Sequence, residues 1–127
     1  MIQRSYPLLA ALFLSSCSSV DEPRAVDPAP VLGCYVAVDA PALRVRHTGI
    51  RIGQNPEVLP FRYEKRKVGM VLAIPMVASV SGGGLEFRPA AEHFYRVLWR
   101  EGKPVINVAF GPDGIIRDYK RHPENDC

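Results

Sequence analysis

Residues 68–80 read VGMVLAIPMVASV, thirteen residues with almost no polarity and a proline at position 75. No other stretch narrows the fold so much. Being apolar almost throughout, the run has no alternation to read. The run is also well short of the ~20 residues that a membrane-crossing helix needs. A central strand cannot hold an undisturbed proline, because the ladder would lose a donor. The segment is therefore expected to be two strands, or one strand bent at a bulge.

The flanking sequence repeats the β signature. Residues 43–46 (LRVR) and 50–52 (IRI) alternate apolar and basic side chains around His47-Thr48-Gly49, the pattern of a hairpin with one basic face. Residues 31–38 (VLGCYVAV) and 61–67 (FRYEKRK) read as further strands. Near the end, VINVAFG and IIRDYKR flank Pro112-Asp113-Gly114, a hairpin with strong turn chemistry. Residues 89–102 fit two patterns. Pro89, Glu92 and Gly102 suit a helix, whereas Tyr95, Val97 and Trp99 alternate as in a strand, and strand is favoured from Phe94 to Arg100. The fold class expected is mainly β: an antiparallel meander of about seven strands, curled into a barrel or half-barrel.

The N-terminus differs in kind. Arg4 precedes a nine-residue apolar run, Tyr6 to Leu14, followed by Leu14-Ser15-Ser16-Cys17. The length suits the apolar region of an export signal, not a membrane span. The LSSC motif resembles the lipobox of bacterial lipoproteins. That resemblance implies cleavage before Cys17, acylation of Cys17, and attachment to a membrane through several acyl chains. Ser18 after the cysteine implies the outer membrane, on its periplasmic side, in preference to the inner membrane. Residues 1–16 are then a signal peptide. Residues 17–30, rich in proline and acid, read as an extended tether. Residues 31–127 form the β-rich domain.

An exported domain of this size has a small core, so an extra staple would help. With Cys17 acylated, Cys34 and Cys127 are left near the two ends of the domain. In an oxidising compartment such a pair is expected to form a disulfide, worth roughly 4–5 kcal/mol on the chain-entropy model.

No constellation for catalysis stands out. His47, His93 and His122 show no metal-ligand spacing, and no G-x-S-x-G elbow occurs. No catalytic residue, metal or cofactor is expected, and the chain reads as a non-enzyme. The formal charge of +3 gives no strong global field, and export removes nucleic acid as a partner. The local asymmetry is basic: Arg44, Arg46 and Arg51 on the hairpin and Arg62 and Arg66 on the next strand form a candidate contact face. Such a face suits an envelope protein or an anionic lipid; its bland counterpart is a solvated face that keeps strand edges soluble. The aromatics, from Tyr35 to Tyr119, suit a filled core, or else a pocket for a small ligand.

The layout of lipid anchor, tether and small β-domain with a cysteine near each end resembles periplasmic lysozyme-inhibitor lipoproteins. Their serine-glycine-aromatic loop is replaced here by Ser81-Gly82-Gly83-Gly84-Leu85. The leading expectation is a membrane-anchored, non-enzymatic binding or structural module. A small-ligand barrel or a hydrolase inhibitor is the alternative.

Overall fold

The computed structural model describes residues 24–123. They form one antiparallel sheet of nine strands, curled into a half-barrel. In chain order these are β1 (Arg24–Ala25), β2 (Gly33–Val36), β3 (Leu43–Arg46), β4 (Gly49–Ile52), β5 (Arg62–Arg66), β6 (Gly69–Ser81), β7 (Gly84–Arg100), β8 (Lys103–Phe110) and β9 (Ile115–Arg121). Their order across the sheet is β1-β5-β6-β7-β8-β9-β2-β3-β4. A single 3-10 turn, Ala29–Val31, is the one helical element among the described residues.

The run containing Pro75 is one long strand with a fault in it. Register between β6 and β7 is continuous from Val71–Arg96 to Ile74–His93, then shifts before resuming at Met76–Pro89. Pro75 faces a surplus of residues on β7, so its missing N–H is never asked to join the ladder. Tyr95 stitches the fault shut. Its buried hydroxyl donates to the Met76 carbonyl at 2.7 Å and accepts from the Ala78 amide at 3.1 Å. Burial pushes that phenol up to about 12.

Residues 89–100 are strand throughout, running on from Gly84 as the single strand β7. Helical spacing loses there because β7 lies between β6 and β8, and both ladders need its backbone. Residues 31–38 are strand only over Gly33–Val36; Val31 sits in the 3-10 turn and Val38 is exposed. The stretch read as tether also needs correcting. Arg24 and Ala25 pair with Lys65 and Glu64, and the Val26 amide donates to the Tyr63 carbonyl at 2.8 Å. An edge strand exposed on both faces is held by backbone bonds alone, so side-chain pattern gives no sign of it. Residues 18–23 and the end of the chain from 124, with Cys17 and Cys127, lie outside the described residues.

The concave face buries Tyr35, Leu43, Val45, Ile50, Leu72, Ile74, Ile106, Val108, Phe110 and Tyr119. Two further phenols find carbonyls, Tyr35 on Val31 at 2.8 Å and Tyr119 on Pro41 at 2.7 Å. Burial raises both, that of Tyr35 to about 12. The curl brings the β4 edge round to the segment before β5, where Ile50 and Leu59 exchange two backbone hydrogen bonds of 2.8 Å. Gly49 makes this approach possible: φ is +147°, and a Cβ there would lie 2.6 Å from the Leu59 carbonyl oxygen.

Candidate functional site

Strand alternation sets where the five arginines point. In β3, Leu43 and Val45 are buried while Arg44 and Arg46 face outward; in β4, Ile50 and Ile52 flank Arg51 in the same way. The ladder then places Arg44 directly opposite Arg51. Like charges opposed across an antiparallel pair repel. Arg46 is opposite Gly49, at the turn end of the hairpin, and exposed.

Arg44 and Arg51 line a cleft of about 470 Å³ together with Pro41, Gly53 and Gln54. The Nε of Arg51 is buried and has no hydrogen-bond partner among the described residues. A guanidinium donor shut off from water without an acceptor costs roughly 1–3 kcal/mol. An oxyanion in the cleft would satisfy that donor, since carboxylate and phosphate match the guanidinium fork. The cleft therefore has the chemistry of an anion site.

Arg62 and Arg66 are placed differently. They share the outer face of β5 with Glu64, at alternate positions of one strand. Arg62 Nε donates to one Glu64 carboxylate oxygen, and Arg66 Nε donates to the other at 2.9 Å. Arg62 also reaches Glu92 at 2.7 Å, and the Arg66 guanidinium lies 3.9 Å from the Phe94 ring centroid. Beneath these side chains Glu64 keeps only 3% of its surface. Burial pushes its carboxyl up, but the hydrogen bonds from Arg62 and then Arg66 outweigh it, and the net shift is downward.

The expected face of five arginines thus separates into a cleft pair with exposed Arg46 beside it, and an ion-paired cluster. Glu64 and Glu92 are the residues that sequence reading missed. The Arg62-x-Glu64-x-Arg66 spacing was the available signal, because alternate strand residues share a face. A second cluster, Arg100, Asp118 and Asn107, joins β7, β8 and β9 with hydrogen bonds of 2.7 and 2.9 Å. It holds Asp118 below its ordinary range, chiefly through Asn107 and Arg100.

Cys34 is also on the outer face, opposite Arg44, and is fully buried. The His122 amide donates to the Cys34 carbonyl at 2.6 Å, which brings the end of β9 alongside this cysteine. Among the described residues no group of three or more His, Cys, Asp or Glu is placed to hold a metal ion. No protein-family model, curated protein or solved structure matches this chain.

Proposed function

We propose that this protein is a lipid-anchored, non-enzymatic binding module of the bacterial cell envelope, which grips an anionic group of an envelope protein or lipid between Arg44 and Arg51. The observation that carries the reading is the buried, unpartnered Nε of Arg51 at the wall of a cleft it shares with a second arginine. The export signal and LSSC motif support attachment through Cys17 at the outer membrane. A filled concave face favours this surface contact over a small-ligand barrel.

The same reading includes a Cys34–Cys127 disulfide. It is supported by the burial of Cys34 on the outer face and by the position of His122, five residues before Cys127. A bridged peptide in a non-reducing digest would establish it; linkage of Cys34 to Cys17 would overturn it.

Photo-crosslinking in living cells tests the contact, with the reactive group placed at position 54, where Gln54 lines the same cleft and both arginines are kept, and, as control, at 62. A discrete adduct from 54, lost on Arg44→Glu or Arg51→Leu and not obtained from 62, is expected. Equal capture from both positions would reject the cleft. So would an adduct that forms only after residues 124–127 are removed, because the acidic tail would then be its normal occupant. Labelling with an alkyne palmitate, abolished by Cys17→Ser, tests the anchor separately.

A further inference from the structure

The first strand determines which end of the domain meets the anchor. β1 runs antiparallel to β5, with Ala25 opposite Glu64 and Arg24 opposite Lys65. Traced backward from Ala25 to Arg24, the chain heads toward the turn that joins β5 to β6. Arg66 opposite Gly69 closes that turn, and Lys67 and Val68 form its tip. The tip is exposed, with 64% of Val68 in water. Arg24 and Lys65 are exposed as well. Two exposed cations on paired strands thus lie at the end of the sheet that carries this solvent-facing aliphatic side chain. Only residues 18–23 separate Cys17 from Arg24, a span of about 20 Å at full extension.

We infer that the β5–β6 tip rests on the bilayer that carries Cys17, with Arg24 and Lys65 at anionic headgroups and Val68 dipping among them. The inference rests on the anchor reading above. A short connection leaves the domain little freedom to stand away from the surface, and long basic side chains place charge at headgroup level while their stems lie against apolar matter. Asp21 and Glu22, in the connecting segment, offset part of the attraction. Immersion of Val68 is therefore a sharper signature than dependence on lipid charge.

The other end of β6 supplies a control. The thirteen residues of β6 span about 40 Å at ordinary strand rise. Beyond its midpoint the β8–β9 turn packs against it, with the Gly111 amide 3.2 Å from the Ala78 carbonyl. Ile116, just past that turn, is 59% exposed.

The test uses the full acylated chain in phosphatidylethanolamine vesicles containing phosphatidylglycerol and brominated acyl chains. Trp99, the single tryptophan, is changed to Phe, and either Val68→Trp or Ile116→Trp supplies the probe. Quenching of the Val68→Trp probe by about twofold or more is expected, as for a side chain at the headgroup–acyl boundary, with the Ile116→Trp probe unquenched. Arg24→Glu with Lys65→Glu should reduce the quenching at 68. Acylated protein that floats with the vesicles but shows equal quenching at both positions, or none at 68, overturns the orientation alone. Protein whose mass shows no acylation and which stays off the vesicles overturns the anchor reading and this inference together.

Discussion

The two groups of outward arginines are built from the same strand alternation and reach opposite electrostatic ends. On β5 an acid stands between Arg62 and Arg66, so the stripe carries its own counter-charge and buries it. On β3 and β4 the arginines face each other across the hairpin, and the Nε of Arg51 is enclosed with no acceptor among the described residues. Basic composition is therefore a poor guide to binding. What matters is whether the ladder has already supplied the counter-ion: the β5 cluster carries its own, and on the hairpin the Nε of Arg51 finds no acceptor among the described residues.

Removing the shared acid should have the largest effect. Glu64→Ala leaves Arg62 and Arg66 without their common acceptor, and a loss of about 1–3 kcal/mol is expected from chemical denaturation. An unchanged denaturation midpoint would mean that the β5 cluster is no more structural than the hairpin pair. Arg51→Leu should act in the opposite sense. It deletes an unsatisfied buried donor, so stability should hold or rise slightly, while the photo-crosslink placed at position 54 should disappear. A clear loss of stability without loss of the crosslink would reverse the roles assigned to the two groups.

A smaller effect should appear in acid. The folded-state shifts of Glu64 and Asp118 are both downward. A carboxyl whose pKa is lower in the folded state binds protons more readily when unfolded, so its contribution is present above the unfolded value and fades as pH falls through the folded value. Stability should therefore decline from about pH 4 downward, and Glu64→Gln should flatten that decline. The Arg51→Leu variant should keep the slope of the unaltered protein. Equal flattening in both variants would erase the distinction between the clusters.

Much of the strand pattern was legible because it depends on neighbours in sequence. Alternation at Leu43, Val45, Ile50 and Ile52 placed Arg44 and Arg51 on one face, and the Pro112-Asp113-Gly114 turn marked the last hairpin. The contrast between the arginine groups was not legible in the same way. The facing of Arg44 with Arg51 depends on hairpin register, and Glu92 reaches Arg62 only because β5, β6 and β7 are neighbours. β1 was missed for a related reason: its backbone bonds to β5 leave no mark on side-chain pattern.

By itself the sequence pointed to a mainly β fold through period-two alternation and turn residues, while leaving residues 89–102 open between helix and strand, and it offered a candidate anchor at Cys17 through a local motif. Tertiary structure alone decided that Pro75 lies in one bent strand sealed by the Tyr95 hydroxyl, that the β4 edge meets Leu59, and that Arg24 and Ala25 join the sheet beside β5. Each of those facts is a contact between residues distant along the chain. Local chemistry can favour a strand, but which strand lies beside it follows from how the whole sheet curls to bury its concave face.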